Sequence, residues 1–217
     1  MRRGLILALM LALAGCIPRS EPPPQQRPRP ERPPREEPPS ATTRQCLSEL
    51  RDERVEFRLL EDRRYSGGCS AIGAVQLLDI GTPTTNLEAM TCPLARQFAR
   101  WTREAVQPAA SRFLDSRVVR IETFGTYACR GVNGQAGARL SEHAFANAVD
   151  VSGFVLADGR RVTVEAGWDG DDGDVRQFLR TIHEAGCRRF NITLGPDANR
   201  FHYNHMHFDM GRGPYCR

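Results

Sequence analysis

The sequence predicts an α+β fold over residues 44–217: a small antiparallel sheet that carries a histidine-rich strand, with helices packed against one face. Three observations predict it. Residues 117–124 alternate apolar and polar as a half-buried strand does, and 151–164 read as a β-hairpin closed by a turn at 157–160. Two stretches near 91–105 and 175–185 repeat their apolar residues every three to four positions, the period of a helix with one buried face. Residues 201–209 concentrate histidines in a run that follows a strand and a turn.

Residues 1–43 carry no comparable pattern. Met1-Arg2-Arg3 followed by an apolar run to Leu13 has the basic start and short apolar core of a secretory signal, too short for a stable transmembrane span. Leu13-Ala14-Gly15-Cys16 resembles a bacterial lipobox, so residues 1–16 read as a lipoprotein signal with Cys16 as the lipidated residue. Several acyl chains, at ~0.8 kcal/mol per buried methylene, hold a membrane more firmly than one. The expected address is the cell envelope, facing the periplasm from a membrane anchor at the outer membrane. Residues 17–43 are mostly Pro, Arg, Glu and Gln, and cannot bury enough apolar surface to offset ordering entropy. They read as a disordered tether that, at ~3.1 Å per residue, reaches on the order of 80 Å.

In chain order, 45–53 suits a short helix, and 57–60 and 74–78 suit strands separated by a turn at Ser66-Gly67-Gly68. A helix opens at Thr91 as N-cap with Pro93 in its first turn, and Leu94, Phe98, Trp101 and Ala105 form its buried stripe. Pro108 is expected to end or bend it. Strand 117–124 and hairpin 151–164 follow, with Asp150 where the hairpin's first strand begins. The acidic run 168–174 lacks the spacing and final Glu of a calcium loop and reads as a solvated loop capping the next helix. That helix, 175–185, buries Val175, Phe178, Leu179 and Ile182 and is expected to stop at Gly186. Strand 190–195 and a turn at 196–199 lead to the histidines.

Cys46, Cys69, Cys92, Cys129, Cys187 and Cys216 make an even set beyond Cys16, which in an exported domain reads as disulfides. Pairing sequential neighbours gives Cys46–Cys69, Cys92–Cys129 and Cys187–Cys216. Every basic residue is arginine, a bias that GC-rich codon usage explains without a binding demand. The net charge of +4 is spread along the chain with no basic run among aromatics, so no nucleic-acid partner is expected.

Four of the five histidines fall in two windows, Ser141–Asp150 and Phe201–Asp209. A lone histidine is more often structural than a ligand, and His183, alone on its helix, is read so. Four beside Asp150 form a metal-site pattern. In a strand, His205 and His207 share one face about 6–7 Å apart. Catalytic zinc takes three protein ligands at roughly 2.0–2.2 Å and keeps an open position. His143, Asp150 and one histidine of the pair supply such a set.

These residues carry a family resemblance. Ser141-x-His143-x-x-Ala146-x-Ala148-x-Asp150 resembles the first metal motif of D-alanyl-D-alanine carboxypeptidases and dipeptidases, with Ala146 where those carry Gly. His202-x-x-His205-x-His207 is similar to the penicillin-insensitive murein endopeptidases, although many relatives carry Glu at the position of His202. From Cys46 to Arg217 the chain most closely resembles the bacterial extensin-like C-terminal domain family, through its Tyr-x-Cys-Arg, Ser-Glu-His and His-x-His signatures. The resemblance implies a carboxypeptidase and hedgehog-like zinc peptidase fold. It implies a Zn²⁺ held by His143, Asp150 and His207, leaving His205 and His202 for proton transfer. Arg130 matches an arginine that engages substrate in carboxypeptidase relatives, but Ala128-Cys129 intervene after Tyr127, so an ordinary salt bridge weighs equally.

Three functions remain open. The first is a zinc peptidase acting on peptidoglycan. The second is a non-catalytic wall-binding lipoprotein that keeps its metal as structure, and the third a tethered domain binding a protein partner.

Overall fold

The computed structural model describes residues 39–135 and 137–217. The expected signal segment, the lipidation at Cys16 and the tether up to residue 38 lie outside the described residues. The described chain is a mixed α+β domain with antiparallel sheets and several helices. Among the described residues no helix is long and apolar enough to cross a membrane.

Helix α1 (Ala41–Asp52) starts earlier than expected, because Ser40 acts as N-cap and its hydroxyl accepts from the Thr43 N–H. Strand β1 (Glu56–Leu59) pairs with β4 (Ala74–Asp79), which also pairs with β5 (Met90–Thr91). Between them β2 (Arg63–Arg64) and β3 (Ser70–Ala71) form a small hairpin. Helix α2 (Cys92–Trp101) begins at Thr91 with Pro93 in its first turn, and its stripe Leu94, Phe98 and Trp101 is fully buried.

Pro108 does not end this helix. The chain passes through a π-helical turn at Thr102–Val106 into α3 (Gln107–Leu114). There the Gln107 N–H reaches back to the Thr102 carbonyl, a wider loop than an α-turn. Pro108 falls in the first turn of α3, where its missing N–H has no α-helical partner to lose.

The main sheet runs β11–β9–β10–β7–β6, with β8 also on β7. Its members are β6 (Val118–Gly125), β7 (Ala148–Leu156), β8 (Arg161–Thr163), β9 (Ile192–Leu194), β10 (Met206–Asp209) and β11 (Tyr215–Cys216). All pairs are antiparallel except β11 with β9. The short α4 (Val164–Gly167) and the long α5 (Gly173–Cys187) lie between β8 and β9 in sequence. Asp172 caps α5 by accepting from the Asp174 and Val175 N–H groups, the capping role foreseen for the acidic loop.

Gly186 is not a terminator. It lies inside α5, where an added Cβ would come within 2.5 Å of Phe208 Cε1. The residue is small because the helix lies directly against the sheet. Phe208 in turn packs on Trp101 at 4.9 Å and Phe190 at 4.7 Å between ring centroids, and the Trp101 indole donates to the Ile182 carbonyl at 2.8 Å. Burying a ring of this size contributes roughly 1.5–3 kcal/mol.

A bulge in β7 decides which side chains face this core. Thr123 pairs with Val151 and Glu122 with Gly153, so Ser152 is passed over. Val149 and Val151 before the bulge, and Phe154 and Leu156 after it, all join the core. Asp150 therefore faces away from it, third in its strand rather than at the start.

The disulfides are Cys46–Cys92, Cys69–Cys129 and Cys187–Cys216. Pairing by sequential neighbours was right only for the last. Cys46 lies on the buried face of α1, which packs against the start of α2 and so meets Cys92. Cys69 follows the hairpin turn whose Tyr65 ring lies 5.3 Å from Tyr127, and that contact brings Cys129 within reach.

Candidate metal centre

Strand β10 alternates strictly. Met206 and Phe208 enter the core, while His207 and Asp209 line a cavity on the opposite side. His207 is directly opposite Asp150 of β7, and its Nδ1 lies 2.8 Å from Asp150 Oδ1. His143 reaches the same point from a 3₁₀ turn at Glu142–Phe145, with Nε2 3.1 Å from Asp150 Oδ2 and 3.2 Å from His207 Nδ1. All three side chains are buried.

The turn that delivers His143 is bolted down locally. Its carbonyl accepts from Ala128 and from Ala146, and the Asn147 side chain links Glu142 Oε2 to the Thr91 hydroxyl. Ala146 closes the turn in the left-handed region at φ +54°, fully buried against Ala71 and Ala74. That backbone geometry favours Gly, and Ala146 adopts it with a Cβ.

Two contacts behind the cluster set the ring tautomers. His143 Nδ1–H donates to the Thr126 carbonyl at 3.1 Å, which leaves the Nε2 lone pair pointing inward. His207 Nε2–H donates to Asp209 Oδ2 at 2.9 Å, which leaves Nδ1 facing Asp150. Ligand atoms of His143, Asp150 and His207 thus lie within 4.8 Å of one another. Three acceptors converging in a buried space require a cation between them, either a proton or a metal ion. Two imidazoles, each oriented from behind, and one carboxylate suit a divalent metal such as zinc.

The electrostatics of the metal-free cluster follow. Burial pushes the Asp150 carboxyl up, but the hydrogen bond from His207 and the adjoining His143 ring outweigh it and hold the group well below the usual carboxylate range. Burial likewise favours neutral His207, yet its bonds to Asp150 and Asp209 raise it to about 9. Without metal, His207 is therefore an imidazolium at neutral pH.

His202 and His205 sit in the turn before β10, so the strand is shorter than the sequence suggested and the two rings are placed by side-chain bonds. His202 Nδ1 pairs with Asn199 Oδ1 and His205 Nδ1 with Asn204 Oδ1, each at 2.9 Å. His205 Nε2 points at the cluster, 3.6 Å from Asp150 Oδ1. Burial, with His207 and His205 nearby, lowers His202 to about 4, and burial also lowers His205. Both rings are neutral near pH 7. Arg130 is half-exposed, with Nη2 3.7 Å from Asp150 Oδ2. Together these side chains line a cavity of about 1220 Å³.

Sequence reasoning missed Asp209, Asn199 and Asn204. Asp209 was readable, since period two in a strand places it on the face of His207. The asparagines belong to turn geometry, which carries no periodic signal. His183 is buried on α5 with its ring edge-on to Trp168. Its neighbours Cys187 and Cys216 are joined in a disulfide.

Fold and cluster together define an α+β domain built around a candidate His₂–Asp metal centre. Residues 44–217 match the family model described as "Extensin-like protein C-terminus", and the chain belongs to that family. Comparisons with curated proteins and with solved structures gave no match.

Proposed function

We propose that this protein is an exported cell-envelope lipoprotein, anchored through Cys16 and facing the periplasm, whose domain is a zinc-dependent peptidase acting on peptide bonds of peptidoglycan. The carrying observation is the convergence of His143 Nε2, His207 Nδ1 and the Asp150 carboxylate, each tautomer held from behind by Thr126 or Asp209. The motif spacing, the exported address read from residues 1–16 and the disulfides support the same reading, and with it the carboxypeptidase and hedgehog-like zinc peptidase fold.

When bound, zinc supplies carbonyl polarisation and a water of lowered pKa. The chain's own residues do the rest. His205, neutral and with Nε2 turned toward the cluster, accepts a proton and returns it to the leaving amine. His202 is held with its Nδ1–H on Asn199, so its Nε2 is the free nitrogen. Arg130 presents a guanidinium beside the cluster for a substrate carboxylate.

The test is metal analysis with digestion of purified sacculi by wild type and His205→Ala. His205→Ala should keep its zinc and lose cleavage by ~10²-fold or more. A second reading, a non-catalytic wall-binding protein, draws on one observation: among the described residues the cavity offers no carboxylate free to act as base. Asp150 and Asp209 are bonded to His207 and Glu142 to Asn147. Stoichiometric zinc without cleavage of any peptidoglycan fraction would select it.

A further inference from the structure

The cavity extends well beyond the cluster. At about 1220 Å³ it exceeds the roughly 300–1,000 Å³ that suffices for a small ligand, and its wall includes the loop carrying Arg139 and the segment after β10 carrying Arg212. Both arginines are exposed. Neither has a carboxylate partner among the described salt bridges, whereas Arg96, Arg100, Arg161 and Arg189 all do.

The charges around them are not partnered alike. Three arginines (Arg130, Arg139 and Arg212) and three carboxylates (Glu142, Asp150 and Asp209) line the cavity. Two of the carboxylates are turned onto His207, and the third accepts from the Asn147 amide. The carboxylates are thus engaged at the cluster and its supporting turn, and the unpartnered positive field of the outer cavity is that of Arg139 and Arg212, which stand outside the cluster. Low-dielectric walls focus such a field and raise the local concentration of anions.

We infer that the cavity selects an acidic peptide with at least two carboxylates: one beside Arg130, and a second, away from the reacting bond, recognised by Arg139 and Arg212. This rests on the peptidase reading for the peptide class, but charge selection itself needs no turnover. Arg139 and Arg212 are then specificity residues that touch substrate and not the reacting atoms.

The experiment is equilibrium binding, by calorimetry, of synthetic tetrapeptides of one sequence to zinc-loaded protein. One peptide carries two free carboxylates, a second has the side-chain carboxylate amidated, and a third has both amidated. Wild type should bind the first at least about tenfold more tightly than the third, with an affinity that falls as salt rises. Arg139→Gln and Arg212→Gln should each weaken the first peptide by about three- to tenfold and leave the second and third unchanged. Arg130→Gln should weaken the first and second alike. Equal binding of all three peptides by wild type, no binding of any, or Arg139→Gln and Arg212→Gln both binding the first peptide as wild type does would overturn the inference. Circular dichroism on each variant separates these outcomes from misfolding, and Arg139→Lys and Arg212→Lys give a second, milder pair. If the doubly charged peptide binds selectively but is not cut, the hydrolytic reading fails and the inference stands. If all three peptides are cut equally well, the hydrolytic reading stands and the inference fails.

Discussion

Zinc and a proton should compete for one atom, His207 Nδ1. Without metal, Asp150 and Asp209 hold the His207 imidazolium up to a pKa of about 9, and that proton must leave before a metal can take the site. At pH 7 the gap is about two units, so apparent zinc affinity should be about 100-fold below its value above pH 9. Asp150 adds no second penalty, because its carboxyl is held well below the usual range and is already ionised. Affinity measured against a calibrated chelator should rise about tenfold per pH unit between 7 and 9 and then level. Asp209→Asn removes one of the two carboxylates that retain the proton, so the curve should level at lower pH. A flat zinc affinity from pH 7 to 9 in the wild type would refute the reasoning.

The same shift makes a signed prediction for stability. A histidine whose folded pKa is raised contributes stability that is fully present below about 6.5 and is lost as pH climbs through about 9. The depressed Asp150 contributes stability present above 3.8 and lost as pH falls below it. The two are partners in one interaction, so it is counted once, at about 3 kcal/mol. Metal-free protein should therefore be most stable between roughly pH 4 and 6.5 and loosen toward pH 9, as denaturant titration across that range will show. Zinc-loaded protein should show no such alkaline loss.

Gly186→Ala should destabilise the fold. The new methyl meets Phe208, which Trp101 and Phe190 hold in place, at a cost of about 1–3 kcal/mol against a helix gain of about 0.5–1. A melting temperature lower by about 2–8 °C is expected, and an unchanged or higher value would show that the ring can move aside. Non-reducing peptide maps should recover Cys46–Cys92 and Cys69–Cys129, with no free thiol among the six cysteines, and any Cys46–Cys69 fragment counts against the fold. Since burial lowers both His202 and His205, cleavage should hold at neutral and alkaline pH and fall only on acidification, which a pH–rate profile checks.

What could be read in the sequence was what carries a period or a spacing. The stripe Leu94–Phe98–Trp101 and the alternation of 117–124 follow from side-chain geometry within one element. What could not be read depends on how elements meet. Gly186 looks like a helix stop until Phe208 is seen against it, and Pro108 looks like a breaker until a π-turn absorbs it. Cysteine partners depend on tertiary neighbours in the same way, because Cys46 and Cys92 are joined by the packing of α1 on α2. The candidate site was legible in its ligand types but not in its tautomers, since Thr126 acts there through its backbone carbonyl.

The bulge at Ser152 links these two levels. Without it, the side-chain period of two would turn either Val149 and Val151 or Phe154 and Leu156 out of the core. With it, β7 keeps apolar contacts along its whole length while Asp150 faces His207 across the ladder. His207 and Asp209 in turn flank Phe208, whose ring is fixed by Trp101 and Phe190. The positions of both β10 side chains in the cluster are thus set by close packing one residue away, and a rotamer change at Phe208 would move the histidine and the carboxylate that orients it together. A site organised this way gains precision from the core and shares its vulnerability. Core substitutions such as Gly186→Ala should therefore weaken zinc binding as well as stability, although Gly186 is no part of the metal cluster.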